Sequence, residues 1–382
     1  MQAPRQLPPM WTPGIVQGVP PDGVLDLADG YLDPELLPTG MMASAYAEAL
    51  DEYGPAALTY GANAGVAPLR GALAERAKVA GGYPCEPENV LITAGTSQAL
   101  HLLATRLGAP GDVVLCEWAS YHLAKRIFSD CGLRTVPIPE DAEGPDPAAL
   151  SDLLLDLRAD GDRAAFAYLI PTFHNPTGRV IGGRRRAELL EVAQDHGLPI
   201  VEDDAYAELC LDPIDLPAPL AAMAGYDGVV RLCSFAKTLG PGLRLGWMLA
   251  DPALVTRLAG GGLLSSGGGV NHLTSLAVTP LIQHGAYDRR LLWLRDQLKA
   301  RRDALVSGLR AGGADAFAVP HGGFFLWLHG LNAQAIEPTG VRAMDGALFG
   351  PLAEPGLRLS FSFSSPTDLE EAGHRLASAY RA

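Results

Sequence analysis

The sequence predicts an α/β fold with a mostly parallel sheet, followed by a smaller α+β region. Short apolar runs alternate with longer amphipathic stretches through the middle of the chain, beginning with NVLITAG (89–95) and DVVLCEW (112–118). Such alternation is typical of βαβ units, which bind ligands at the carboxyl ends of their strands. The pattern changes near Tyr287 to one long helical stretch and then short strands. A length of 382 residues suits a large domain plus a smaller one.

The individual elements follow from the position of the apolar runs and of the turn residues between them. Further strands are predicted at 164–171, 199–204, 229–235 and 243–250, and helices over 97–107, from near Tyr121, and over 184–197, where Gly197 is the stop signal. The second region is predicted to contain a helix at 289–310, short strands at FAVP (317–320), GFFLWL (323–328) and LRLSFS (357–362), and a closing helix at 369–381. We therefore predict an N-terminal segment (1–45) packing on a small C-terminal domain (286–382), and a large domain (46–285) between them.

Composition narrows the classes of partner. The net charge of −14 disfavours nucleic acid and anionic membranes, but it does not exclude a small anionic ligand held by local donors. No apolar run approaches the roughly 18–20 residues that span a bilayer, and the start MQAPRQLPPMWTP lacks the apolar core of a signal peptide. Five dispersed cysteines without a CxxC pair argue against a disulfide framework or a zinc site. We expect a cytoplasmic protein without a metal site, with Cys116 and Cys233 as buried, inert thiols.

The segment SFAKTLGPGLRLGW (234–247) carries the strongest chemical signal. Lys237 follows an apolar strand and stands among small residues, in a loop that Gly240, Pro241 and Gly242 close. Partial desolvation there lowers the pKa of an amine and suits it to Schiff-base chemistry. Ser234 and Arg244 offer a hydroxyl and a guanidinium suited to a phosphate. An isolated loop lysine is usually a solvated surface residue, and these neighbours favour function instead.

The same segment closely resembles the lysine motif of the fold-type I, class I/II aminotransferases, and the resemblance extends over nearly the whole chain, from LADGYLDPELLP (27–38) to the final helix. It implies the fold of the PLP-dependent transferases of fold type I, with a seven-stranded, mostly parallel sheet. It also implies that pyridoxal 5′-phosphate (PLP) is carried as an aldimine on Lys237. Family members are dimers, so a homodimer is expected. The related PLP-binding transcription regulators are not expected to fit, because no helix-turn-helix segment precedes the matched region.

Several motifs match the family's cofactor contacts. AGTSQAL (94–100) matches its phosphate turn, in which free N–H groups at a helix N-terminus face an anion. Asp203 matches the carboxylate facing the pyridine nitrogen; the three-residue step to Tyr206 favours it over Asp204, which we predict to be structural. Tyr60 matches a tyrosine that reaches the neighbouring subunit's phosphate. The cofactor-binding residues implied in this way are Tyr60, Gly95, Thr96, Ser97, Tyr121, Asn175, Asp203, Tyr206, Ser234, Lys237 and Arg244, and those implied in catalysis are Asp203, Tyr206 and Lys237.

The resemblance also implies a binding site for the substrate. Arg358 matches the arginine that holds the α-carboxylate, and an arginine inside an apolar strand needs an anionic partner. Asn175 and Gly30 complete the implied substrate contacts. The chain departs from the family pattern at Asp29, where a small residue is common, and in the glycine- and serine-rich stretch 260–275. That stretch is either a flexible connector or a segment at the mouth of the site that leaves room for a large substrate side chain.

The function predicted on these grounds is a PLP-dependent aminotransferase acting on an amino acid and a 2-oxo acid. Two alternatives share the same cofactor residues. One is a PLP enzyme that diverts the Cα carbanion to elimination, replacement, C–C bond formation, cyclisation, decarboxylation or oxidation. The other is a PLP-binding sensor or scaffold without catalysis.

Overall fold

The computed structural model describes residues 23–267, 269–315, 317–351 and 354–380. The helices of these residues, in chain order, are α1 (Thr39–Tyr53), α2 (Ala67–Gly81), α3 (Thr96–Leu107), α4 (His122–Asp130), α5 (Pro147–Ala159), α6 (Gly183–His196), α7 (Leu220–Met223), α8 (Pro252–Ala259), α9 (Gly262–Ser265), α10 (His272–Gln283), α11 (Ala286–Ala311), α12 (Ala333–Ile336) and α13 (Pro366–Ala379). Within the described ranges, no helix combines the length and the apolar character that crossing a membrane requires.

The strands, numbered likewise, are β1 (Leu25–Asp26), β2 (Val90–Thr93), β3 (Val113–Cys116), β4 (Arg134–Pro137), β5 (Glu140–Asp141), β6 (Gly144–Pro145), β7 (Ala164–Leu169), β8 (Ile200–Asp203), β9 (Val229–Ser234), β10 (Gly246–Leu249), β11 (Phe325–His329), β12 (Val341–Arg342), β13 (Met344–Asp345) and β14 (Gly356–Ser360). Seven of them form the central sheet in the order β2-β10-β9-β8-β7-β3-β4. Strand β10 runs antiparallel to β2 and β9, and the remaining neighbours are parallel. The predicted α/β fold with a mostly parallel, seven-stranded sheet is confirmed.

Helices cover both faces of this sheet, and the alternation of side chains along each strand explains why. Val113 and Leu115 of β3 belong to an apolar cluster with α2, α5, α6 and α10 on one face. Val114, between them, belongs to a second cluster with α3, α4 and α8 on the other face. A strand buried on both faces reads as a continuous apolar run, which is why β2, β3, β7, β8, β9 and β10 could be predicted. Strand β4 was not predicted, because it is only partly buried and carries Arg134 and Thr135.

A further apolar cluster lies around the antiparallel sheet β11-β14-β13 and the helices α11 and α13. Leu27, Leu32 and Leu36 from the start of the described chain pack into this cluster. Strand β1 also pairs in parallel with β12, which joins the same two parts of the chain. The predicted strand at 317–320 is wrong: Pro320 has no N–H group for a strand ladder, and its carbonyl accepts instead from Arg302 Nη1 at 2.9 Å.

Candidate active site

A cavity of about 240 Å³ opens where the carboxyl ends of the parallel strands meet the second sheet. Most of the predicted site residues line it: Gly30, Thr96, Ser97, Tyr121, Asn175, Asp203, Tyr206, Ser234, Lys237, Arg244 and Arg358. Gly95 does not line the cavity itself but lies directly before Thr96 at the N-terminus of α3. Tyr60 lies elsewhere. The fold therefore brings together residues that are spread over more than 300 positions of the sequence.

Lys237 is presented by a short 3-10 turn that follows β9. Its Nζ donates to the carbonyl oxygen of Gly30 at 3.0 Å, and no carboxylate of the described chain lies within ion-pair distance of it. The rings of Tyr206 and Phe324 lie 5.6 and 5.7 Å from Nζ. Burial lowers the pKa of Lys237 to about 8, and the positive charge of Arg358 acts in the same direction. At pH 7 about a tenth of the amine is therefore unprotonated and nucleophilic, far more than for an ordinary lysine.

Asp203 ends β8 with its side chain in the cavity, and Asp204 does not line the cavity. Successive side chains of an extended chain point in opposite directions, so only one of the two acids can face the site. Tyr168 donates its hydroxyl hydrogen to Asp203 Oδ2 at 2.7 Å. Burial raises the pKa of Asp203 to about 6, and the hydrogen bond from Tyr168 opposes that rise. Asp204 Oδ2 instead accepts from Arg231 Nε and Nη2 at 2.7 and 2.6 Å, a structural pair.

A cradle for a phosphate lies at the N-terminus of α3. Gly95 has a φ of +93°, and a Cβ atom built there would lie 2.8 Å from Arg244 Nη2. Only glycine therefore allows the guanidinium to approach the turn, where Arg244 Nη2 donates to the carbonyl oxygen of Ala94 at 2.7 Å. The free N–H groups and the dipole of a 12-residue helix add to the positive potential. Thr96, Ser97 and Ser234 place hydroxyl groups beside it.

Arg358 lies in β14 at the opposite wall of the cavity and is buried. Its Nη1 donates to Asn175 Oδ1 at 2.9 Å and its Nη2 to the carbonyl oxygen of Ala28 at 2.6 Å, while Nε is buried without a partner. The guanidinium stacks 4.0 Å from the centroid of the Phe325 ring. Burial lowers the pKa of Arg358 to about 10. No described carboxylate lies within ion-pair distance of Arg358, and the more distant Asp29 only favours its charged form, so the guanidinium is open to an anionic ligand as its direct partner.

A buried network behind the cavity holds the loop that carries Asn175. Glu117 Oε1 accepts from Arg179 Nη2 at 3.1 Å, and Glu117 Oε2 accepts from the N–H of Ile170 at 2.7 Å and lies 3.3 Å from His174 Nε2. Burial raises the pKa of Glu117, but His174 and Arg179 outweigh it and lower the pKa overall. His174 thus lies outside the cavity and stabilises the turn that carries its neighbour Asn175.

Sequence reasoning missed Tyr168 and the residues that line the side of the cavity: Tyr31, His122, Phe325 and Met344. A signal for Tyr168 did exist, since a tyrosine inside a buried strand needs a partner for its hydroxyl group. Which group that partner is depends on the pairing of β7 with β8.

Tyr60 and part of the glycine-rich stretch line a cleft separate from the cavity around Lys237. Tyr60 is 84% exposed and lines a cleft of about 330 Å³ together with Leu264, Gly267 and His272. The described residues of the glycine-rich stretch, 260–267 and 269–275, therefore do not line the cavity around Lys237 of their own chain. The predicted contact of Tyr60 with a neighbouring subunit's cofactor stays a prediction.

The donor set of the cavity fits PLP. The buried, unpaired Nε of Arg358 calls for an anion at one wall, and the Gly95 turn offers N–H groups and Arg244 to a phosphate at the other. Between them lie an amine with a lowered pKa and a buried carboxylate, which suit an aldehyde and a protonated pyridine nitrogen. Among the residues with described positions, no cluster of three or more His, Cys, Asp or Glu side chains could hold a metal ion.

Comparison with known families supports the same assignment. Residues 24–376 match the family described as aminotransferase class I and II. The chain belongs to this family. It is a PLP-dependent aminotransferase, and the predicted family, enzyme class and cofactor are confirmed.

Individual relatives include two aminotransferases that this chain matches over nearly their whole length. The chain is 35% identical to the 2-aminoadipate transaminase of Thermus thermophilus over 375 residues, which covers 94% of this chain and 90% of that protein. It superposes with a TM-score of 0.82 on LysN, the α-aminoadipate aminotransferase of Thermus thermophilus in complex with N-(5′-phosphopyridoxyl)-L-leucine, at 34% identity and over 94% of this chain and 92% of that one. It is also 31% identical to an uncharacterized HTH-type transcriptional regulator, YisV of Bacillus subtilis, matching 93% of this chain and 73% of the regulator.

Proposed function

We propose that this aminotransferase uses Lys237 both as the covalent anchor of PLP and as the base that moves the substrate's Cα proton. The observation that carries the proposal is the environment of Lys237. Its amine has no ion-pair partner within the described chain and lies in a cavity that Asp203 and Arg358 also line. When bound, PLP supplies an electron-withdrawing ring that accepts the electron pair released at Cα.

Arg358 and Asn175 bind the α-carboxylate of the amino acid. The Nη1 group of Arg358 is already aligned by Asn175 Oδ1, and its stacking on Phe325 restricts the plane of the guanidinium. A carboxylate held by this fork fixes the orientation of the Cα–H bond relative to Lys237. The displaced Lys237 then accepts the Cα proton at Nζ, and its lowered pKa keeps a usable fraction of the amine unprotonated.

Asp203 holds a proton on the pyridine nitrogen of PLP. A buried carboxylate next to a ring nitrogen favours the protonated ring, and Tyr168 restricts the carboxylate to one orientation. Tyr206 and Asn175 would hold the phenolic oxygen of PLP, and Tyr121 would contact its ring. The turn Gly95–Thr96–Ser97, with Ser234 and Arg244, binds the phosphate.

The proposal extends to the assembly of the protein. A large exposed tyrosine beside a cleft is well placed to contact a second chain, so we include a homodimer in which Tyr60 contacts the partner's cofactor phosphate.

We also propose a division into a segment 1–45, a large domain 46–285 and a small domain 286–382. The five cysteines are free, which suits the reducing cytoplasm, and the net charge of −14 disfavours nucleic acid as a partner.

The decisive experiment is a single half-reaction. The holoenzyme is mixed with an amino acid in the absence of any 2-oxo acid, and the cofactor absorbance and the released products are followed. We expect one equivalent of 2-oxo acid per site and a cofactor that stops in its amine form. Continued turnover with release of ammonia would overturn the proposal in favour of an enzyme that diverts the carbanion.

A further inference from the structure

The tripeptide Ala28–Asp29–Gly30 accepts hydrogen bonds from two basic side chains of the active site, Arg358 and Lys237. Arg358 Nη2 donates to the carbonyl oxygen of Ala28 at 2.6 Å, and Lys237 Nζ donates to that of Gly30 at 3.0 Å. A Cβ atom at Gly30 would lie 2.5 Å from the Phe325 ring, so the backbone is packed closely there. The residue between these two anchored carbonyl groups is Asp29, which lines the cavity.

Asp29 shares its ion-pair partner with a second carboxylate. Its Oδ2 lies 3.2 Å from Arg342 Nη2, but the same nitrogen lies 3.1 Å from Asp26 Oδ2, and Arg342 Nε donates to Asp26 Oδ1 at 3.2 Å. Two carboxylates therefore share one guanidinium. The Asp29 side chain is 37% exposed, whereas Asp26 is buried. Burial raises the pKa of Asp29, and Arg342 opposes that rise by favouring the ionised form.

The other charged groups of the cavity already have a partner in the proposed reaction. Lys237 and Asp203 serve the cofactor ring, Arg244 serves the phosphate and Arg358 serves the α-carboxylate. Burial lowers the pKa of His122, with Arg358 acting in the same direction, which keeps that imidazole neutral. Asp29 is the remaining charged residue that lines the cavity, and it is available to contact the side chain of the substrate.

Resting on the proposed function, we propose that Asp29 makes the site selective for amino acids with a basic side chain, an ammonium or guanidinium group, and unfavourable to acidic ones. The backbone next to Asp29 is held by the bond from Arg358 to Ala28, so its carboxylate can bind a cation with little reorganisation, and it repels a second carboxylate.

The test uses three unreactive ligands that differ only at one end. Hexanoate, adipate and 4-guanidinobutyrate have similar length and share a carboxylate for Arg358, but end in a methyl, a carboxylate and a guanidinium. Their dissociation constants for the holoenzyme are measured by calorimetry for the wild type, Asp29→Asn and Glu35→Gln. Glu35 lies in the same segment and is exposed, so its substitution removes one charge without touching the cavity.

We expect the wild type to bind 4-guanidinobutyrate more tightly than adipate, by a factor on the order of ten for a half-exposed charge. The preference should fall to about twofold or less in Asp29→Asn and persist in Glu35→Gln. Tighter binding of adipate by the wild type would show that Arg342 binds an acidic side chain, and would overturn the inference. So would an unchanged order in Asp29→Asn, or no measurable binding of any of the three ligands.

The half-reaction separates this inference from the proposed function. Lysine, norleucine and 2-aminoadipate are compared as donors in the same three proteins. Conversion of the cofactor by all three at equal rates would reject selection by Asp29 and leave the aminotransferase proposal standing. Conversion by none, with the ligand preference intact, would reject the proposed half-reaction and leave the role of Asp29 standing.

Discussion

The hydroxyl group of Tyr168 lies 2.7 Å from Asp203 Oδ2, and both side chains are buried. The two residues stand on neighbouring parallel strands, β7 and β8. Because the hydrogen bond stabilises the charged carboxylate, it counters the rise that burial causes in the pKa of Asp203. Tyr168 therefore positions and tunes the residue that faces the cofactor ring, without lining the cavity itself.

Replacing Tyr168 by phenylalanine should make the Asp203 carboxylate easier to protonate. Loss of the hydrogen bond raises the pKa of Asp203 further, so the acid limb of the kcat/KM profile should move up by about one pH unit, with about a tenfold loss of kcat. The pH dependence of the cofactor absorbance should shift in the same direction. Tyr226→Phe, which alters another buried tyrosine outside the cavity, is the control and should shift neither curve. An unshifted Tyr168→Phe profile would contradict the role.

Asp203 should also make the stability of the apoenzyme depend on pH. Its pKa is about 6 when folded and 3.8 in the unfolded reference, so the folded state binds more protons between about pH 4 and pH 6. Stability should fall as the pH rises through that window, by up to about 3 kcal/mol. Asp203→Asn should abolish this fall, keep PLP bound and strongly slow Cα deprotonation. Urea unfolding at several pH values, with the half-reaction rate, checks both parts.

Asp204→Asn is the matched contrast, because Asp204 pairs with buried Arg231 outside the cavity. It should destabilise the protein by about 3–5 kcal/mol through the unpaired arginine, while the activity per folded molecule changes little. If the two variants exchange these behaviours, the assignment of Asp203 to the cofactor is wrong.

Lys237→Ala should abolish both turnover and covalent attachment of PLP while leaving the fold intact. The substitution removes a desolvated amine whose one hydrogen bond is to Gly30, so we expect no large loss of stability. Borohydride reduction followed by mass spectrometry measures the attachment, and circular dichroism measures the fold. Lys78→Ala, at an exposed lysine of α2, is the control and should keep the reducible link. A reducible link retained in Lys237→Ala would place the cofactor on another lysine.

Arg358→Ala should raise KM for amino acids and lower kcat/KM. The lost transition-state stabilisation should be about 2–5 kcal/mol, the range expected for one half of a buried charge pair. Arg358→Lys should recover only part of this loss, because an ammonium group cannot form the bidentate fork. Binding of hexanoate reports the same loss without chemistry. Equal hexanoate affinity in the wild type and Arg358→Ala would show that the carboxylate binds elsewhere.

A shared active site predicts complementation between two inactive variants. In a hybrid of Lys237→Ala and Tyr60→Ala chains, one site has both defects and the other has neither. Random mixing should therefore restore about a quarter of the wild-type activity if Tyr60 serves the partner's cofactor. Sedimentation of the mixture confirms that dimers carry the activity. A fully active monomer, or no restoration on mixing, would contradict the shared site.

The sequence by itself determined six of the seven strands of the central sheet and the residues at their ends. Local apolar runs identify strands buried on both faces, and Asp203, Ser234 and Lys237 follow those runs directly in the chain. Since parallel strands have their carboxyl ends at one edge of a sheet, where ligands bind, the side chains at these strand ends are expected near one site. The family motifs assigned Arg358 in the same way, by its place in the strand that became β14.

Only the tertiary structure decided which side chains from distant, unrelated sequence segments come into contact. The bond from Tyr168 to Asp203 depends on the register of β7 with β8, and the contact between Asp29 and Arg342 joins residues 313 positions apart. The antiparallel direction of β10, and the position of the 260–275 stretch beside Tyr60, are likewise set by long-range pairing. Local sequence patterns record propensity and burial, whereas these contacts depend on how distant segments pack, which no local pattern encodes.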